Sequence, residues 1–188
     1  LYHLNQQYWI KNFKIVLGLA NNHLRYGYSS IIEHINVNFW LVDKNDAPNF
    51  ILLHFTNLIF IVFFCQLILM LLKSKYYKFS ISLLIYGFLD NFGFNGGKNG
   101  YIEVESITKQ DTPFAIIFLS STFMLYCFLS KGKFNISNSE IRLLFIFTLF
   151  ATQLRILGAI TLIGFFLICI YKFNLKETIK IIFKNEFT

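Results

Sequence analysis

The sequence predicts an all-α integral membrane protein, and two properties of its composition support that class. Hydrophobic residues make up 55% of the 188 positions and charged residues only 14%, whereas an ordinary soluble domain has about 25% charged residues. The apolar residues fall in long runs bordered by lysines and aromatic residues, as at the ends of transmembrane helices. We expect about four transmembrane helices, or about three if residues 79–94 do not cross, with amphipathic interfacial helices at both ends.

Residues 1–48 are predicted to form a membrane-surface segment. No apolar run in this stretch is long enough to cross a bilayer. A short amphipathic helix is expected within residues 8–20, because apolar and basic residues alternate there at helical spacing. These residues are Trp9, Ile10, Lys11, Phe13, Lys14 and Val16.

The transmembrane helical domain is assigned to residues 49–171. Residues 50–72 are 23 positions without a formal charge, and a helix of that length rises ~34 Å, enough for a bilayer core of ~30 Å. Residues 79–94 form a shorter apolar segment that Asp90 and Asn91 interrupt. Residues 113–130 form a third run, which begins with a proline in the first turn, where a helix tolerates it.

Residues 141–171 are apolar at most of their 31 positions. A continuous helix of that length would rise ~46 Å, more than the thickness of a bilayer core. It must therefore tilt strongly, protrude from the membrane, or break near Gly158. Arg155 lies near the middle of this run, where inserting an arginine costs about 2.5 to 3.5 kcal/mol.

The cost of placing Arg155 there requires a compensating role, and the sequence leaves several open. With Gln153 and Asp90 it could line a proton or ion path. It could also form a buried ion pair with Asp90, or extend its side chain to the membrane surface. Asp90 could itself simply end the second segment at the interface, because glycines follow it closely.

The first span carries three uncharged polar side chains, His54, Asn57 and Gln66. A histidine in a membrane helix can bind haem or relay protons. With no second histidine at helical spacing, we expect these three residues to make hydrogen-bonded contacts with neighbouring helices instead.

Lysines close to the ends of the apolar runs are predicted to anchor the protein at lipid headgroups. They are Lys73, Lys75, Lys78, Lys172, Lys176, Lys180 and Lys184. The last four repeat every four residues within residues 172–188, with apolar residues on another face, which predicts a basic amphipathic C-terminal helix. A bound phospholipid such as cardiolipin would suit this helix.

Other classes of function lack support in the sequence. The net charge of +7 comes largely from lysines at the ends of apolar runs rather than from a phosphate-binding patch, so nucleic acid is not an expected partner. The three cysteines are far apart and each has apolar neighbours. No catalytic or phosphate-binding motif is present. We therefore expect no catalytic residues, no metal site and no cofactor in this chain, which would be part of a larger enzyme.

The richness in Leu, Ile, Phe, Asn, Lys and Tyr, with only three arginines, resembles the hydrophobic subunits of oxidative-phosphorylation complexes encoded in AT-rich protist mitochondrial genomes. The resemblance implies the mitochondrial inner membrane, with other membrane subunits and the lipid bilayer as partners. Leu154–Gly158 also resembles the stator arginine region of ATP synthase subunit a, which would pair Arg155 with the rotor carboxylate. Residues 160–163, Ile-Thr-Leu-Ile, differ from the asparagine and polar cluster of that family.

These observations favour a structural or accessory subunit of a respiratory-chain complex or of ATP synthase. In the alternative, the chain conducts protons or ions through Arg155 and Asp90, for example as a divergent ATP synthase subunit a. Replacing Arg155 distinguishes these roles, because a structural arginine affects assembly whereas a conducting arginine affects coupling.

Overall fold

A computed structural model of the chain describes residues 2–12, 30–40, 54–87, 111–130 and 138–183. These residues form eight α-helices and one 3₁₀ turn, with no β-strand among them, so the all-α class is confirmed for this part of the chain. The helices are α1 (Tyr2–Asn12), α2 (Ile31–Asn38), α3 (Phe55–Lys73), α4 (Tyr77–Tyr86), α5 (Asp111–Ser130), α6 (Asn138–Leu154), α7 (Ala159–Phe173) and α8 (Leu175–Phe183).

Three helical segments are long and apolar enough to cross a membrane. They are Phe55–Lys73, Asp111–Leu129 and Ile156–Phe173, of 19, 19 and 18 residues. A straight helix of 19 residues rises ~28 Å, close to the thickness of a bilayer core. In α5, the hydroxyls of Ser120 and Ser121 each donate to the carbonyl four residues earlier at 2.7 Å. These bonds satisfy the two hydroxyls within an otherwise apolar helix.

The chain divides by its internal contacts into two compact units, Leu1–Pro113 and Phe114–Thr188. Within the first unit, α1 packs on α2 and α3 packs on α4. Helix α4 has 10 described residues, a rise of only ~15 Å. The rest of the predicted segment 79–94 lies outside the described residues, so its crossing stays a prediction.

The turn between α3 and α4 is a Schellman motif. The N–H of Lys75 donates to the carbonyl of Leu72, and the N–H of Tyr76 donates to the carbonyl of Leu71, both at 3.0 Å. Lys75 takes the left-handed conformation that the motif needs, with φ of 66°. Farther along α4, the hydroxyl of Ser80 donates to the carbonyl of Ile68 at 3.3 Å and ties α4 to α3.

In the second unit, α6 and α7 form an antiparallel helical hairpin. The rings of Phe145 and Phe165 lie 5.6 Å apart, and Ala151 lies against Gly158. Both pairs are nearly symmetric about residue 155, as in two antiparallel helices joined there. Helix α8 then packs on both α6 and α7. One cluster of buried core residues in the unit consists of Leu125, Phe128, Ile141, Leu144, Phe165 and Cys169.

The hairpin decides between the alternatives for residues 141–171. The apolar run does not form one continuous helix, either tilted or protruding from the membrane, because α6 ends at Leu154 and α7 begins at Ala159. The segment is broken near Gly158.

The two ends of the chain agree with the predicted helices to different extents. Helix α8 is present, and its exposed residues include Lys176, Lys180 and Ile179, while Ile182 packs against the core of the second unit. The amphipathic helix expected within residues 8–20 is described only as far as Asn12, the last residue of α1.

Candidate functional site

The reversal between α6 and α7 is formed by Arg155 and the short 3₁₀ turn after it. Arg155 has an extended backbone, with φ of −151° and ψ of 146°. Its N–H donates to the carbonyl of Ala151 at 3.1 Å, and its carbonyl accepts the N–H of Gly158 at 2.8 Å. The hydroxyl of Thr161 donates to the carbonyl of Gly158 at 2.7 Å and secures the start of α7. The chain therefore reverses within a few hydrogen-bonded residues.

Gly158 allows the two arms of the hairpin, α6 and α7, to approach each other closely. A Cβ atom at this position would lie 2.2 Å from the carbonyl carbon and oxygen of Ala151. Ala151 is itself fully buried. Because the obstructing atoms are backbone, a side chain at residue 158 would force the arms apart.

The Arg155 side chain is half-buried at the tip of this hairpin. Its guanidinium lies 6.0 Å from the centre of the Phe114 ring, a distance at which a cation interacts with an aromatic face. The next residue, Ile156, is 86% exposed. The expectation of an arginine in mid-helix is therefore wrong. The apolar run in the sequence continues past residue 155, but the helix ends at Leu154 and the next one begins at Ala159.

The structure tests only part of the predicted proton path. Gln153 is exposed near the end of α6, two positions before Arg155. Asp90 lies outside the described residues, so an Arg155–Asp90 pair stays a prediction. One described contact of the guanidinium is with the Phe114 ring.

Two cations in the second unit donate to carbonyls in the last turns of other helices. The Nε of Arg142 donates to the carbonyl of Ile181 in α8 at 2.8 Å. The ammonium of Lys172 donates to the carbonyl of Phe128 in α5 and lies 4.7 Å from the centre of that ring. The last carbonyls of a helix lack intrahelical donors and carry partial negative charge, so cations stabilise them.

The first unit contains a different kind of cluster, made of buried polar side chains between α2 and the start of α3. The hydroxyl of Thr56 donates to the side-chain carbonyl of Asn36. Both residues are buried, as is the adjacent Asn57. The rings of Phe39 and Phe55 lie 5.5 Å apart beside this pair. An unsatisfied buried polar group is costly, so this bond fixes how α2 meets α3.

Sequence reasoning did not select three of the buried polar residues, Gln7, Glu33 and Asn36, all with 0% exposure. Glu33 could have been found, because it closes a capping box with Ser30 whose S-x-x-E spacing is visible in the sequence. The N–H of Ser30 donates to the Glu33 carboxylate at 3.2 Å. For Gln7 and Asn36 no sequence signal exists, because their burial depends on the packing of separate helices.

The three polar residues predicted for the first span do not converge. His54 precedes α3 as its N-cap residue, and burial lowers the pKa of its imidazole from the ordinary value. Asn57 is 3% exposed. Gln66 is exposed and lies nine positions farther along α3, a rise of ~13 Å. They are separate polar positions and not one site.

Most of the predicted headgroup anchors that are described are exposed. These residues are Lys73, Lys75, Lys78, Lys176 and Lys180. The ammonium of Lys172 instead donates a hydrogen bond to the backbone carbonyl of Phe128. Lys184 lies outside the described residues. Contact of these side chains with lipid stays a prediction.

No catalytic constellation can be assembled from these clusters. Among the described residues, no group of three or more His, Cys, Asp and Glu side chains could hold a metal ion. The hairpin tip and the helix-end cations make contacts with backbone carbonyls and aromatic rings, which suit packing and positioning. Comparison with protein-family models, with curated proteins and with solved structures yields no match.

Proposed function

We propose that this chain is a structural or accessory subunit of a mitochondrial inner-membrane complex, either a respiratory-chain complex or ATP synthase. The observation that carries the proposal is how much of each candidate span is left unburied. Only 39% of the Phe55–Lys73 window is buried, 44% of the Asp111–Leu129 window and 22% of the Ile156–Phe173 window. Apolar surface of this extent is stable only against lipid or other apolar helices.

The three candidate spans lie in α3, α5 and α7, and a crossing by the other arm of the hairpin, α6, is proposed as a fourth in place of the predicted crossing by residues 79–94. The arm α6 has 17 residues and rises ~25 Å, slightly less than a bilayer core. The arm α7 is one of the candidate spans together with the 3₁₀ turn before it. Arg155, at the tip between the arms, would then reach an interface instead of the membrane centre, which lowers its insertion cost.

The compartment and the complex are proposed from the composition. A chain rich in Leu, Ile, Phe, Asn, Lys and Tyr with few arginines is typical of hydrophobic subunits encoded in AT-rich mitochondrial genomes. The exposed Lys176 and Lys180 of α8, with the exposed Ile179 and Phe183 beside them, support binding of an acidic phospholipid such as cardiolipin. The chain would contribute packing surface to the complex, and other subunits would supply the active site.

A conducting role for Arg155 and Asp90 is the alternative. The packing of Arg155 on Phe114 at the hairpin turn favours the structural role, in which the cation supports the turn. Under that role Arg155→Lys keeps assembly and turnover, since lysine also pairs with an aromatic face. Arg155→Ala lowers the amount of assembled complex. Normal assembly with uncoupled membranes in Arg155→Ala would favour conduction instead.

The experiment that tests the proposal is a native gel of mitochondrial membranes solubilised in mild detergent. Mass spectrometry then locates the chain among the resolved complexes. We expect the chain to migrate with a respiratory-chain complex or with ATP synthase. Migration by itself near its own mass of 22.1 kDa would reject the subunit proposal and favour a solitary transporter or channel.

A further inference from the structure

The exposed side of α3 contains an open apolar groove of about 330 Å³. Six residues at helical spacing line it, Phe55, Leu58, Ile59, Val62, Phe63 and Gln66, and we call them the Gln66 stripe. Five are apolar and the sixth is an amide. The opposite side of α3 is buried and faces its own unit, with Phe60, Phe64, Leu67 and Leu71.

Gln66 lies at the middle of this surface in two directions. Around the helix, the exposed residues Leu58 and Leu69 fall on one side of it and Ile59 on the other, at ~100° per residue. Along the helix, Gln66 is the twelfth of 19 residues, within ~3 Å of the midpoint. If α3 spans a bilayer, this amide lies near the membrane centre.

A lipid acyl chain would satisfy the five apolar residues of the stripe but not the amide. A carboxamide carries two N–H donors and a carbonyl acceptor, and hydrocarbon offers no partner for either. Polar side chains at such positions commonly hydrogen-bond across to a neighbouring helix. The occupant of the groove must therefore be apolar along most of its length and have a hydrogen-bonding group at the depth of Gln66.

We propose that the occupant is the α3 helix of a second copy of this chain. Two copies inserted in the same direction are related by a two-fold axis along the membrane normal, which places identical residues at the same depth. Gln66 then meets Gln66 of the second copy, and each amide donates to the other's carbonyl. The amide is its own complement, and the apolar residues of the stripe pack around it. This self-association extends the proposed function and does not depend on which complex holds the chain.

The first test measures self-association of the full chain in phosphatidylcholine vesicles, by energy transfer between two differently labelled pools. We expect the wild-type chain to associate and Gln66→Leu to weaken association about tenfold, the effect of about one interhelical hydrogen-bond pair. Gln66→Asn keeps an amide and should retain part of the affinity. Ser82→Leu is the matched control, because Ser82 is an exposed polar residue on α4, outside the stripe. A monomeric wild type, or equal affinities for Gln66→Leu and Ser82→Leu, would overturn the proposal.

A second test identifies the occupant directly. With Cys65, Cys127 and Cys169 replaced by alanine, a single cysteine is introduced at Ile59 or Val62, and the membranes are oxidised. The proposal predicts a disulfide-linked product of twice the chain mass at both positions and none at Ser82. Products joined to a different protein, or no product at either stripe position, would reject a second copy as the occupant.

Discussion

The junction of α2 with α3 and the hairpin of α6 with α7 bring helices together by different means. At the junction the central contact is polar, a hydrogen bond between Thr56 and Asn36 with both residues buried. At the hairpin it is steric and apolar, with a glycine against a backbone and tilted phenylalanine rings such as Phe145 and Phe165 in contact. Shape therefore dominates at the hairpin and hydrogen bonding at the junction, so the two should respond to different substitutions.

The largest effect is expected from Gly158→Ala, which tests the steric contact between the two arms of the hairpin. The new Cβ would lie 2.2 Å from the backbone of Ala151, so we expect the unfolding free energy in detergent micelles to fall by about 3 kcal/mol. Gly164→Ala is the control. Its Cβ would lie 3.7 Å from a methyl group of Leu125, an ordinary contact, and alanine favours a helix interior by up to ~1 kcal/mol. Equal stability of the two variants would contradict a steric hairpin.

A smaller effect is expected when α8 loses the cation at its C-terminal end. Arg142→Met removes the donor to the Ile181 carbonyl while keeping an unbranched side chain, and a hydrogen bond to a charged group contributes ~2 kcal/mol. Hydrogen exchange should become faster in α8 and change little in α5. Lys176→Met, at an exposed position in the first turn of α8 and away from its C-terminal carbonyls, should not make exchange faster. Identical exchange in both variants would show that Arg142 does not hold this helix end.

The polar junction is tested by Thr56→Val, which keeps the side-chain shape and removes the hydroxyl. It leaves Asn36 without the donor that it has now, at a cost of about 1–2 kcal/mol of unfolding free energy. Asn36→Leu in the same chain should recover part of this loss, because both polar partners are then gone. Strictly additive losses in the double variant would mean that the hydrogen bond does not couple α2 to α3.

The smallest effect per substituted residue is expected at the surface of α8. Replacing the exposed Lys176 and Lys180 with glutamine should weaken binding of an acidic phospholipid by ~1 kcal/mol per lysine. Native mass spectrometry of the protein in nanodiscs that contain cardiolipin would measure the retained lipid, with phosphatidylcholine as the neutral control. Unchanged cardiolipin retention would remove the lipid role proposed for these lysines.

The long apolar helices could be predicted from sequence, because their formation depends on local composition. Phe55–Lys73 and Asp111–Leu129 are two of the candidate spans, and both overlap the predicted spans 50–72 and 113–130. The length of 141–171 also indicated that one straight helix would not fit. That argument depends only on the rise per residue and the thickness of a bilayer.

The choice of a break over a tilted or protruding helix, and the buried polar contacts, required the structure. The turn at Arg155 contains no proline, and apolar residues continue on both sides, so hydropathy does not mark it. The Thr56–Asn36 bond joins residues 20 positions apart, and the Arg142–Ile181 bond joins residues 39 positions apart. Such contacts depend on how helices pack, and the sequence shows only that the residues can donate or accept.

The most direct test of this account is the distance between Leu143 and Leu167, which are exposed on the two arms of the hairpin. Spin labels on cysteines at these positions, with the native cysteines replaced by alanine, would be measured by pulsed electron resonance in liposomes. Antiparallel arms place the two backbones ~10 Å from each other, and the length of the label side chains adds to this distance. A continuous helix would separate them by ~36 Å. A short distance supports the hairpin with Arg155 at its tip, and a distance near that of one helix would contradict it.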